Sequence, residues 1–322
     1  MTTQTTAPDH FIGCDVGKAS IVVFDSRTNQ TRTIANRPAD LARFAATLDE
    51  TCLAICEATG GYENTLLHAL SKASRAAHRA DARKVKAFIR SFGILGKTDA
   101  IDARALAVYG QERHADLARW QVPDPQRERL QAMVLIRRDL IADRLAYRNR
   151  LAAPGADAVK GPLGKLLKTY DQQIAAIDRD IAALIRGHKT LAAAEKTIRC
   201  LVGIGQTTAA ALLALLPELG TLNRRQVAAL AGLAPHPNQS GGKDAYRRTR
   251  GGRPEVKRVL FMAAMVAAKH DPVQKAFYTR LLAQGKKPLV ALTAIMRKLV
   301  VICNAMLRNT EAEHLAQSEQ RA

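Results

Sequence analysis

The first third of the chain alternates short apolar runs with amphipathic stretches. Phe11 to Asp15 and Ile21 to Asp25 are apolar and β-branched, and VGKAS joins them, which predicts a hairpin. Thr31 to Ala35 supplies a third strand. Pro38 opens a helix through PADLARFAATL, Leu53 to Cys56 reads as a short buried strand, and Gly60-Gly61 precedes a helix through YENTLLHALSKA,. Thr98 is suited to cap a helix beginning at Asp99. This succession predicts an α/β module over residues 1–122.

From 123 to 188 the pattern changes to long helices. Leu163, Leu167, Tyr170, Ile174, Ile177, Ile181 and Leu184 alternate spacings of four and three, the period of a coiled coil. The preceding stretch, QRERLQAMVLIRRDLIADRLAYRNRL, has a less regular stripe at Met133, Ile136, Leu140, Tyr147 and Leu151, and PGADAVKGP separates the two. An antiparallel hairpin within the chain and a coiled coil between two subunits both satisfy this pattern. Residues 189–322 predict a mainly helical module: CLVGIGQTTAAALLALL, then VKRVLFMAAMVAAK and PLVALTAIMRKLVVICNAML, with a long irregular segment, ALAGLAPHPNQSGGKDAYRRTRGGRPEVKR, between them. The predicted fold class is therefore α/β plus α.

Charge changes this picture. Of 322 residues, 49 are Lys or Arg and 29 Asp or Glu, a net +20, and such an excess attracts polyanions, nucleic acid foremost. Residues 189–322 hold 21 basic against 8 acidic residues, so an excess of 13 lies in the last module. The five cysteines, Cys14, Cys52, Cys56, Cys200 and Cys303, form no Cys-x-x-Cys pair and are expected to be buried, reduced thiols. The polar start MTTQTTAPDH has no apolar signal core and no run approaches the ~20 apolar residues of a membrane span. The expected location is the cytoplasm, without membrane contact.

Within this basic chain the acids are conspicuous by position. Asp15 and Glu57 each close an apolar run, and Asp99 and Asp102 sit three apart on one face of the predicted helix,. Four carboxylates gathered at one point would hold hard divalent cations, Mg²⁺ in the first place, for phosphodiester chemistry. FIGCDVGKASIVVFD also looks like the first phosphate loop of actin-like and sugar-kinase ATPases, but no second Asp-x-Gly follows. In the last module GIG, with Gly203 and Gly205, resembles half of a helix-hairpin-helix, whose turn offers backbone N–H groups to a phosphate; a plain helix-helix turn is the alternative. Lys243, Arg247, Arg248, Arg250, Arg253, Lys257 and Arg258 cluster around Gly251-Gly252 and Pro254, a pattern suited to nucleic-acid phosphates.

The order CDVGK, CEATGGYE, KTDAIDARALA, a helical middle, then LVGIGQTTAAALLA, AALAGLAPHPNQSGGK and LFMAAMVAA resembles the DEDD insertion-sequence transposases. These are the family numbered one hundred and ten, with the Piv-type DNA invertases and the bridge-RNA-guided recombinases. The resemblance spans nearly the whole chain. It implies a RuvC-like (RNase H-like) domain over 1–122 with Asp15, Glu57, Asp99 and Asp102 as catalytic metal ligands for Mg²⁺, or Mn²⁺ in its place. It further implies a coiled-coil region over 123–188 and a transposase domain over 189–322, whose serine in GLAPHPNQSGG is Ser240. That serine would form a phosphoserine intermediate while donor and target DNA are cut and rejoined. Dimers assembling into a tetramer, and a bridge RNA pairing with both DNAs, belong to the same implication. Because acids and serine fall in separate modules, a site shared between subunits is expected. The family's serine-rich continuation is replaced here by GGKDAYRRTRGGR. Tyr246, as a tyrosine nucleophile, a RuvC-like resolvase using metal-activated water, and a non-catalytic nucleic-acid-binding protein are the competing readings.

Overall fold

The computed structural model describes residues 7–93, 96, 98–240, 243–245 and 247–319, excepting the side chains of 238–246 and 310–319. Two compact units divide it, residues 1–122 and 123–322.

The first unit is built on β1 (His10–Val16), β2 (Ser20–Asp25), β3 (Gln30–Ala35), β4 (Cys52–Glu57) and β5 (Ala76–Ala80) in the order β3-β2-β1-β4-β5. β2 runs antiparallel to both β1 and β3, whereas β4 runs parallel to β1 and β5 parallel to β4. This mixed sheet is consistent with an RNase H-like domain. Helices α1 (Pro38–Thr47) and α2 (Asn64–Lys72) supply Leu41, Phe44, Leu66 and Leu70 to a core that includes Ile12, Cys14 and Val16. Helices α3 (Ala82–Ser91) and α4 (Asp99–Arg113) supply Val85, Phe88, Leu106 and Tyr109 to a separate core with Phe11, Leu53 and Ile55. Successive strand residues point to opposite faces, so alternate residues of β1 and β4 belong to alternate cores. The hydrophobic pattern does not predict β5 or α3.

The second unit starts with α5 (Pro125–Leu151) and α6 (Lys160–Gly187), which pack antiparallel within one chain. Tyr147 stacks on Tyr170 at 5.8 Å, while Arg137 and Arg144 pair with Asp178 and Asp171. The intrachain hairpin, one of the two arrangements the heptads allow, is thus present within the chain. Its base shares a core with the remaining helices, because Leu130, Ile181 and Ile185 are buried beside Leu191, Leu212, Leu260 and Ile295. Toward the hairpin's tip the stripe is only half-buried, at Leu163, Leu167 and Tyr170.

Helices α7 (Lys189–Ile198), α8 (Gln206–Leu215), α9 (Arg224–Leu230), α10 (Pro254–His270), α11 (Pro272–Ala283) and α12 (Pro288–Glu319) complete the unit. Two sequence expectations change here. Pro288–Asn309 is long and apolar enough, by length and composition, to cross a membrane, against the expectation that no run approaches that length. Ala291, Ile295, Leu299, Val300 and Cys303 of this stretch are buried, so part of its apolar character serves the core. The segment read as irregular contains β6 (Asn238–Ser240) and β7 (Lys243–Ala245), paired antiparallel with Ser240 opposite Lys243. The cysteines are all free, but Cys200 is exposed rather than buried.

Candidate active site

Strand alternation decides where the first two acids stand. Ile12 and Cys14 face the α1–α2 core while Phe11 faces α4, so Asp15 follows Phe11 and Gly13 onto the α4 side. On β4, Leu53 and Ile55 occupy that side, and Glu57 continues their series. The register pairs Cys14 with Cys56 in parallel strands, so both acids emerge at the same sheet edge, one residue beyond.

The second pair arrives through close packing of α4. Thr98 caps this helix, its hydroxyl accepting from the Ile101 N–H at 3.2 Å. The helix backbone comes so close to β1 that a Cβ on Gly13 would lie 1.9 Å from the Ala103 carbonyl oxygen. Only glycine admits that approach. It brings the first turn of α4, with Asp99 and Asp102, beside the strand ends.

All four acids line one cavity of about 620 Å³, together with Thr59, Gly96 and the α3 residues Arg83, Lys86 and Arg90. The four carboxylates thus border one shared space. Among the described residues the group whose donor atoms all lie within 4.8 Å of one another is His10, Asp49 and Cys52. An all-oxygen donor set around a wide opening suits a hard cation that retains waters.

The loop after Glu57 is organised from beneath by Glu63, which the sequence reading did not single out. Its buried carboxylate accepts from the N–H of Thr59 at 3.1 Å and of Gly61 at 2.9 Å, with Arg79 at 3.7 Å. The Thr59 hydroxyl donates to the Glu57 carbonyl. Asn36 ties the Gly17 and Tyr62 carbonyls together, linking the loops that follow the two acid-bearing strands.

The His10 group lies at the opposite ends of β1 and β4, roughly 16 Å away at the rise of an extended strand. Arg27 holds Asp9 and Asp49 there. Asp9 is lowered to about 2, first by its hydrogen bond with His10 and then by that with Thr51. Burial pushes the Cys52 thiol up to about 11, away from the thiolate that soft metals prefer.

In the second unit Ser240 ends a short strand, and its side chain, like that of Lys243, lies outside the described residues, as do Gly241, Gly242 and Tyr246 altogether. Arg247, Arg248 and Arg250 are exposed. Arg253 is turned inward, donating to both Glu218 carboxylate oxygens and to the Leu215 carbonyl. Lys257 donates to Thr249, and Arg258 lines a separate cavity between α5, α8 and α10. Gly203, at φ +94°, lets the turn before α8 approach Ala263, whose carbonyl oxygen would be 2.3 Å from a Cβ there. This accounts for Gly203 by packing; Gly205 is the N-cap of α8, without a side-chain cap.

Comparison with known proteins bears on both halves. The DEDD transposase model of IS110 elements matches residues 12–153, and the model of the IS116/IS110/IS902 transposases matches residues 195–279. The chain belongs to the IS110 transposase family. Pilin gene-inverting proteins of Moraxella lacunata and Moraxella bovis are each 29% identical over 258 residues, 79% of both chains. An uncharacterized 43.6 kDa protein of insertion element IS110 from Streptomyces coelicolor is 31% identical over 156 residues, covering 48% of this chain and 37% of the relative. Membership of the IS110 family makes DNA recombination the class of activity. The acid cavity falls in the first matched segment and the Ser240 hairpin between α9 and α10 in the second.

Proposed function

We propose that this IS110-family transposase cuts and rejoins donor and target DNA using the four acids as a divalent-cation site and Ser240 as the covalent nucleophile. The observation that carries the reading is the single cavity lined by Asp15, Glu57, Asp99 and Asp102. Mg²⁺, or Mn²⁺, held there would stabilise charge on the phosphate and the departing oxygen. The carboxylates would hold that ion through oxygen donors placed at two strand ends and one helix start. Glu63 and Thr59 keep the Glu57 end of the site in place.

Ser240 then forms an Oγ–P bond while the bond from phosphorus to one sugar oxygen breaks. The serine proton leaves to a base, and the freed sugar oxygen takes up a proton as a hydroxyl. Rejoining reverses these changes with a different sugar hydroxyl, so no external energy source is needed. A bare serine hydroxyl is a weak nucleophile and requires such activation. Arg247, Arg248 and Arg250 hold phosphates beside the hairpin, with salt-sensitive affinity.

The three-part division, 1–122 for the acids, 123–188 for the coiled coil and 189–322 for the serine, follows the family resemblance, as do dimers joining into a tetramer and a bridge RNA that pairs with the DNAs. The inverting relatives support inversion as one outcome of strand exchange. The test is adduct trapping on DNA with separate Ser240→Ala and Tyr246→Phe chains. Loss of the protein–DNA adduct in the first alone is expected; an adduct lost only in the second would replace serine with tyrosine, and cleavage without any adduct would favour metal-activated water.

A further inference from the structure

Helix α3 brings a second kind of chemistry to the acid cavity. Its Val85 and Phe88 are buried, and the Phe88 ring meets Tyr109 of α4 edge-on at 5.2 Å. Asp81 caps its start, accepting from the N–H groups of Arg83 and Lys84. The helix is thereby fixed to the element that carries Asp99 and Asp102. Its outer face presents Lys86 and Arg90, four residues apart and so on one side, both exposed and both lining the cavity.

Two roles are open to cations placed beside four carboxylates. Neutralising the acids would show as ion pairs, and Arg83 does pair, with Asp81 at 3.3 Å. Lys86 and Arg90 make no ion pair or hydrogen bond among the described residues, and their charges stay available. Cations held by the four acids would face only the phosphate to be cut, so the neighbouring phosphates of the strand need a positive wall that the chain itself provides. A lysine point charge and a forked guanidinium on one rigid face suit phosphate oxygens.

We infer that Lys86 and Arg90 form a phosphate-binding wall of the acid cavity that holds the backbone of the DNA strand to be cut. The inference rests on the recombinase reading for the identity of the strand, since the acids act on DNA. These two side chains would be positioning residues for the substrate.

The test uses the full chain and a short duplex DNA, with a single-stranded RNA of equal length as a parallel probe. Binding is measured over a range of salt concentrations for wild type, Lys86→Gln/Arg90→Gln, the charge-keeping Lys86→Arg/Arg90→Lys, and Lys72→Gln as an exposed control outside the cavity. For duplex DNA, loss of two phosphate contacts flattens the slope of log affinity against log salt by about 1.8. The charge-keeping pair restores the slope and the control leaves it unchanged. Mn²⁺ binding to the double glutamine variant is not weakened. An unchanged DNA slope with tightened Mn²⁺ binding would assign the cations to neutralising the acids and overturn the inference, as would a slope change confined to RNA. Failure of the recombinase reading shows separately, as wild type that neither cleaves DNA nor forms an adduct while the slope still responds.

Discussion

The two units carry their chemistry on different scaffolds. In the first, the acids stand near the ends of elements whose interiors are buried: Asp15 follows Cys14 near the end of β1, Glu57 follows Cys56 at the end of β4, and Asp99 and Asp102, in the first turn of α4, precede the buried Ala103 and Leu106. In the second, the proposed nucleophile stands in a three-residue strand between α9 and α10. A Pro235–Thr249 bridge and the His236 N–H to the Arg248 carbonyl at 3.1 Å continue that hairpin toward the helices. The contrast has a physical sense. A cation site requires donors fixed to within a fraction of an ångström, whereas groups that meet a large substrate are commonly carried on connections held by a rigid frame.

The largest expected effect separates site from scaffold in the first unit. Asp15→Ala or Asp102→Ala should lower DNA cleavage more than about 100-fold, the upper end for groups that only support a ligand. For Asp102→Ala the melting temperature should not fall, because one of four like charges around the cavity is removed,. A melting temperature that drops with activity would make these acids part of the scaffold.

Next comes the scaffold itself. Gly13→Ala forces a methyl into the Ala103 carbonyl, and overpacking against backbone should cost about 3 kcal/mol, read by denaturant unfolding. In the second unit, Ile185→Ala opens the core shared by the helical hairpin and the C-terminal helices and should cost about 3 kcal/mol, whereas Leu163→Ala near the tip should cost much less. Equal costs at the two positions would contradict a hairpin anchored only at its base.

Glu63→Ala strands the Thr59 and Gly61 N–H groups and should cost about 1–3 kcal/mol, with weaker Mn²⁺ binding through displacement of Glu57. Glu63→Gln, which keeps one acceptor oxygen, should recover part of both. The smallest effect is on pH dependence in the second unit. Burial acts to raise Glu218 from its ordinary 4.5, but the hydrogen bonds and charge of Arg253 prevail and its pKa is lowered. A lowered carboxyl stabilises the fold fully above its unfolded value and loses that contribution as pH falls through the folded one. Glu218→Gln should therefore flatten the acid limb of the unfolding profile and leave the neutral region's slope unaltered.

These regions also differ in how far the sequence disclosed them. Asp15 and Glu57 were legible because each terminates a run of apolar residues on a central strand, and Thr98 announced the helix of Asp99 and Asp102. β5 was not, since AAHRA has no β-branched residue and becomes a strand by pairing with β4, a case of tertiary context overriding propensity. The α3 wall was missed for a related reason: ARKVKAFIRS carries its signal in the contrast of Val85 and Phe88 with Arg83, Lys86 and Arg90, within only ten residues. NQS and KDA hold no strand preference, so the pattern does not predict β6 and β7. Ser240 drew its role from family resemblance, as no local residue pattern distinguishes it from an ordinary loop serine. The heptads told of the seam in α6 but not its partner, which the Arg137–Asp178 and Arg144–Asp171 pairs identify as α5.

The central claim is that four separated acids form one cation site. Calorimetric titration of Mn²⁺ into wild type and into the Asp15→Ala, Glu57→Ala, Asp99→Ala and Asp102→Ala chains tests it most directly. Saturable binding by wild type, weakened in every one of the four variants, is the predicted result. Binding that all four variants retain at wild-type strength would contradict it.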